Sequence, residues 1–129
     1  MSHPRILVTG SRNWTNRTII KMALKYAWED LGLDPETTLV SGACPTGADR
    51  IAEEEWESLG LPIERHPADW SQHGRAAGPI RNQEMVDLGA DVCLAFAMPD
   101  SRGTHDCIRR ASDKGIPTQL FYDANEGDT

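Results

Sequence analysis

The sequence predicts one α/β domain with a five-stranded parallel sheet flanked by helices. Five short apolar runs alternate with four stretches of helical periodicity, the pattern of repeated strand–helix–strand units. No internal repeat or linker-like stretch interrupts them, and 129 residues suit a single core. Three of the strand-to-helix junctions are rich in Gly, Ser, Thr or Arg. The domain is expected over residues 1–123, with 124–129 as a frayed tail.

Arg5 to Thr9 (RILVT) reads as a buried strand that runs into Gly10, Ser11 and Arg12. A helix follows, with Ile20, Ala23, Leu24, Ala27 and Leu31 on one stripe, Asn16 or Thr15 as its cap and Gly32 as its stop. Thr37 to Val40 is the second strand. The next helix turns Ala48, Ile51, Ala52, Trp56 and Leu59 inward and leaves Glu53, Glu54, Glu55 and Glu57 mostly to solvent. Ile63 to Pro67 is a weaker third strand. Ala68 to Pro79 reads as a polar loop, long enough to serve as a lid or binding loop. A helix from about Ile80 to Leu88 places Arg81 and Glu84 near one face. Val92 to Ala97 is the fourth strand, and MPDSRGTHD (Met98 to Asp106) carries it into a helix with Cys107, Ile108 and Ala111 inward and Gly115 as its stop. Thr118 to Tyr122 is the fifth strand. Right-handed crossovers would bring the strand ends that carry the Gly-rich junctions to one edge of the sheet, where such folds bind ligands.

A formal charge of −7 and a pI near 5.0 give the chain no general attraction for nucleic acid or anionic membranes. Cys44, Cys93 and Cys107 lack CxxC or Cys/His spacing, so neither a disulfide framework nor a zinc site is expected. No apolar run is long enough to cross a bilayer and MSHPR is not a signal peptide, so a cytoplasmic location is expected. No metal or cofactor is implied.

The junctions TGSR, SGACPTGAD and SRGT point to an anion or nucleotide cleft when taken together, although one Gly-rich turn alone needs only a backbone reason. TGSR is not the dinucleotide fingerprint, and SGACPTGAD lacks the lysine of a phosphate loop. The candidate binding set is Gly10, Ser11, Arg12, Gly42, Thr46, Gly47, Asp49, Trp70, Gly103 and Thr104. Gly103 and Thr104 would sit at the positive end of a helix, where free N–H groups receive phosphate. Arg12 and Arg81 offer planar forks for phosphate or ribose oxygens, and equally suit surface pairs with acidic residues. Asp49 and Asp106 fall in predicted first turns, where capping is their ordinary role. Trp70 is placed to stack on a base, whereas Trp14, Trp28 and Trp56 read as packing. His66, His73 and His105 could form a proton relay, but without ligand spacing they read as incidental.

TGSR, SGACPTGADRIAEEEW, HGRAAGPIRNQEMV and GTHDCIRRA, in that order, resemble the YspA/YpsA-related branch of the SLOG superfamily, from about Arg5 to Thr118. The resemblance implies a Rossmann-like fold and a nucleotide or nucleotide-derived ligand. The superfamily includes LOG-type phosphoribohydrolases and the DNA-processing DprA proteins. In the LOG enzymes an Arg and the acid of a PGGxGTxxE segment cut an N-glycosidic bond. Arg81 and Asp106 fall at those positions, which makes them the candidate catalytic pair. Asp100 and Ser101 replace the paired glycines, and Asp106 is one methylene shorter than Glu. The resemblance thus implies a nucleotide-binding domain first and hydrolysis of a nucleoside monophosphate second. A non-catalytic sensor or sequestering protein is the alternative, and a DprA-like role is disfavoured by the charge. Sites of this superfamily often lie near subunit interfaces, which leaves a homo-oligomer open.

Overall fold

A computed structural model describes residues 3–99 and 101–123. Asp100 and the expected tail 124–129 lie outside the described residues. The strands are β1 (Arg5–Gly10), β2 (Thr38–Ser41), β3 (Ile63–Arg65), β4 (Val92–Phe96) and β5 (Thr118–Phe121), all parallel and in the order β3-β2-β1-β4-β5. The long helices are α1 (Arg17–Asp30), α2 (Gly47–Ser58), α4 (Ala77–Leu88) and α5 (Arg102–Asp113), with a one-turn α3 (Trp70–His73) before α4. This is the Rossmann-like α/β architecture, and its strand order reverses between β1 and β4. Among the described residues no helix is long and apolar enough to cross a membrane.

The sheet separates two apolar layers. Ile6, Val8, Leu39, Leu94 and Phe96 face α1 and α2, where they meet Ile20, Leu24, Ile51 and Trp56. Leu7, Val40 and Cys93 face the other way, onto Met85, Val86, Cys107 and Ala111 of α4 and α5. Alternation along each strand divides the residues between layers, because successive side chains point to opposite faces. Trp14 meets Phe96 edge-on at 5.6 Å, Trp28 meets Trp56 at 5.8 Å, and Phe96 stacks on Phe121 at 5.1 Å. These three tryptophans are packing residues.

Asn16 caps α1 by accepting the Ile19 N–H at 3.2 Å, so the cap is Asn16 and not Thr15. Three details differ from the sequence reading. The stretch from Ala68 to Pro79 is largely helical: α3, a 3-10 turn (Gly74–Ala76) and the start of α4 occupy it. Asp69 starts this run by accepting the Gln72 N–H at 3.1 Å, a helix cap that stops the segment from being a free loop. Leu59 is exposed, because it follows the last turn of α2. Glu53 turns toward the sheet, where it accepts from Ser41 Oγ at 2.6 Å and pairs with Arg65 at 2.7 Å.

Candidate functional site

The carboxyl ends of β1 and β4 open into a cleft of about 1360 Å³ at the point where the strand order reverses. It is lined by Gly10, Ser11, Arg12, Gly42, Asp49, Trp70, Arg81, Gly103, Thr104 and Asp106 from the expected set. Thr46 and Gly47 do not line it. Thr46 Oγ1 donates to Arg12 O at 3.1 Å, and Gly47 packs directly beneath the Ser11 and Arg12 backbone. Their work is to hold the β1–α1 turn in place.

The two helix N-termini that carry expected binding residues are not equivalent. At α2, the Ala48 N–H already donates to Ser11 O at 3.0 Å, and the Asp49 carboxylate stands in the first turn. A carbonyl and a negative charge occupy the place an anion would need. At α5, the Ser101 side chain leaves the helix end uncapped, because its Oγ instead accepts the Met98 N–H at 3.0 Å. Among the described residues, a Cβ added at Gly103 would meet nothing within 4 Å, and Gly103 lines the cleft. Thr104, by contrast, is buried.

The glycines of the junctions serve packing as much as access. A Cβ on Gly10 would lie 2.4 Å from Ala48 Cβ and 2.9 Å from Phe96 O, so β1 and α2 can approach only over a bare Cα. Ser11 is similarly committed: its Oγ accepts the Asn13 N–H at 3.0 Å, and its N–H donates to Phe96 O at 2.9 Å.

Arg81 reaches from α4 across the cleft floor. Its Nη1 donates to Gly42 O and its Nε to Asn82 Oδ1, the latter at 2.9 Å. Asn82 was not apparent from the sequence. It is buried, and its Nδ2 donates to both Gly103 O at 3.3 Å and Asp106 Oδ2 at 3.0 Å, which joins the two residues of the candidate catalytic pair through one amide. Its position directly after Arg81 was visible, but an Asn in a helix gives no sign of being buried.

Asp106 does not fall in the first turn of its helix, as the sequence reading had it. The helix begins at Arg102, and Asp106 instead receives Arg109 at 2.7 Å, Arg110 at 2.9 Å and Asn82 at 3.0 Å. Burial pushes its carboxyl up, but the Arg110 and Asn82 hydrogen bonds and the charges of Arg110 and Arg109 outweigh this and hold it below the usual carboxylate range. Asp49 is the opposite case. Burial pushes its carboxyl up to about 6, against the Cys44 N–H bond and the positive charges of Arg81 and Arg12. Its Oδ2 accepts the Cys44 N–H at 3.2 Å, and its buried Oδ1 has no hydrogen-bond partner among the described residues. It caps nothing in α2.

At the rim, the Arg12 guanidinium lies 5.6 Å from the centre of the Trp70 ring, a cation–π contact between two exposed side chains. His105 also lines the cleft, whereas His66 Nε2 is engaged by Glu64 at 2.6 Å, and no contact joins the histidines into a relay among the described residues. No disulfide joins Cys44, Cys93 or Cys107 among the described residues. His3, Asp34 and Glu36 come together at the opposite edge of the sheet, where the His3 ring contacts both carboxylates on the surface.

A parallel sheet in this order, with its reversal point opening into a polar cleft, defines a Rossmann-like domain of the kind that holds a ligand beyond its strand ends. The model of the YspA, cpYpsA-related SLOG family matches residues 4–73, from before β1 to the end of α3, and the chain belongs to that family. It is also 44% identical over 124 residues to the Gene 61 protein of Mycobacterium phage D29, covering 92% of this chain and 97% of that protein. No solved structure matches. Arg81, Gly103, Thr104 and Asp106 lie beyond the stretch that the family model matches.

Proposed function

We propose that the cleft binds a nucleotide or nucleotide derivative, with its phosphate at the N-terminus of α5. The observation that carries this is a reversal of charge. In a chain of formal charge −7, the described cleft residues include Arg12, Arg75, Arg81, Arg102 and Arg109 against Asp49 and Asp106. An anion is drawn to such a pocket although the whole protein repels polyanions, which favours a small nucleotide over nucleic acid. Membership of a SLOG family is a nucleotide-related assignment and agrees with this reading. Trp70 supplies an exposed ring against which a base can stack once Arg12 moves to the ligand.

Binding is favoured over hydrolysis by the state of Asp106. A carboxylate that holds three donors and is kept ionised is poorly suited to taking up or delivering a proton near neutral pH. Phosphoribohydrolase activity is the second reading, favoured by the hydrogen-bonded path from Arg81 through Asn82 to Asp106. Incubation with a panel of 5′-ribonucleotides, followed by mass spectrometry of bound and released molecules, separates the two. Retention of a nucleotide without free base is the expected result. Free base, lost in Arg81→Ala and Asp106→Ala, would establish the hydrolase instead, and no retained or converted nucleotide would remove both.

Gly103→Glu gives a second test. Its side chain has open space, replaces a poor helix former and places a negative charge at a helix N-terminus, so stability should rise by about 0.5–1 kcal/mol. The same charge occupies the phosphate seat, and nucleotide affinity should fall at least about tenfold. Unchanged affinity by calorimetry would place the phosphate elsewhere.

A further inference from the structure

We infer that the cleft takes up a proton from solvent together with its anionic ligand, and that the Asp49 carboxylate is the group that receives it. The inference rests on the nucleotide reading and adds how that site answers to pH.

Asp49 is 6% exposed at the edge of the cleft, with Oδ2 accepting the Cys44 N–H at 3.2 Å and Oδ1 left without a hydrogen-bond partner among the described residues. An ionised carboxylate has about four acceptor positions, and burial removes the water that would fill them. The charge therefore depends on its surroundings. Arg81 from α4 and Arg12 from the β1–α1 turn favour it, Glu53 of α2 opposes it, and the Cys107 thiol of α5 lies within its field. A Cβ on Gly42 would lie 2.6 Å from Arg81 Nη1 and 3.1 Å from Asp49 Oδ2, so guanidinium and carboxylate crowd one bare Cα. Arg81 nonetheless gives its hydrogen bonds elsewhere, to Gly42 O, His66 O and Asn82 Oδ1. Its support of the Asp49 charge is through space.

Arg12 and Arg81 also line the cleft. A phosphate that enters brings negative charge to the two guanidiniums on which the Asp49 charge depends, and like charges that share a site disfavour ionisation of the one held less well. Asp49 is that one. Asp106, the other carboxylate among the described cleft residues, receives Arg109, Arg110 and Asn82 and is held below the usual carboxylate range. Asp49 stands at about 6 through burial, so a modest further rise leaves much of it protonated at neutral pH. The proton passes from bulk water to a carboxylate oxygen, one negative charge disappears, and the buried carboxyl is less costly than the buried carboxylate. No hydrogen bond from the ligand to Asp49 is needed. Linkage fixes the sign: the free carboxyl titrates lower than the bound one, so affinity is greatest in acid and falls as pH rises from about 6 through the bound value.

Calorimetric titration of wild type and Asp49→Asn with the 5′-ribonucleoside monophosphates, from pH 5.5 to 7.5 in paired buffers of unequal ionisation enthalpy, counts the protons taken up. Protonation of the ligand's own phosphate is common to both proteins and drops out of their difference. If binding raises the proton affinity of Asp49 about tenfold, wild type should take up about half a proton per nucleotide more than Asp49→Asn at pH 6.5. Its affinity relative to the variant should fall about fivefold between pH 5.5 and 7.5. A second measurement needs no variant: carbon-13 NMR of the Asp49 carboxyl in wild type should show it titrating at higher pH with nucleotide than without. Equal proton uptake by the two proteins, or a titration that the bound nucleotide leaves unmoved, overturns this inference and leaves nucleotide binding standing. Failure of every nucleotide to bind wild type overturns both readings.

Discussion

Gly47→Ala should cost about 2–4 kcal/mol of folding stability and abolish ligand binding, although Gly47 touches no part of the cleft. Two costs combine. Gly47 has a φ of +75°, which disfavours any side chain by about 1 kcal/mol. Its added Cβ would also fall 2.2 Å from Ser11 O and 2.5 Å from the carbonyl carbon and oxygen of Arg12. These are backbone atoms that cannot rotate aside, so overpacking adds about 1–3 kcal/mol. Relief requires α2 to withdraw from the β1–α1 turn, which breaks the Ala48 N–H bond to Ser11 O and shifts Arg12. Gly60→Ala is the internal control. It has nearly the same φ, +72°, with nothing within 4 Å, so it should show the backbone cost alone. Urea unfolding of the two variants checks this, and equal losses would show that the close approach has no energetic weight.

That contrast also explains how far the sequence could be read. The five strands and four long helices were legible because apolar runs and Gly stops mark their ends, and the parallel order then brings the three junctions to one edge. The role of each junction glycine was not legible. A bare Cα needed for helix packing at Gly10 and Gly47 and one left open at Gly103 are the same letter in a sequence. The α3 segment was missed although its signal was present, since Asp69 stands three residues before Gln72 as a helix cap does. Asp106 was misplaced within its helix because the start lies at Arg102, and one turn's difference converts a cap into the centre of an arginine clamp. Asn82 and the poorly served Asp49 depend on what packs around them, and no periodicity reports that.

Asp49→Asn should stabilise the protein at pH 7.5 and leave it no more stable than wild type near pH 4. The folded carboxyl titrates at about 6, raised from an ordinary 3.8 chiefly by burial. The groups that bear on it are Arg12 from the β1–α1 turn, Glu53 on α2, Arg81 on α4 and the Cys107 thiol on α5. Because the folded value lies above the unfolded one, the native state holds the proton more tightly. Its contribution is therefore complete below pH 3.8 and is lost as pH rises through 6. A difference of that size corresponds to about 3 kcal/mol, which wild type forgoes at pH 7.5 and the neutral amide does not. Chemical unfolding of both proteins from pH 4 to 7.5 measures the difference directly. A gap that widens with pH identifies Asp49 as a charge the fold tolerates at a cost to stability. A constant gap would show that Asp49 remains ionised throughout, with its charge already balanced by Arg81 and Arg12.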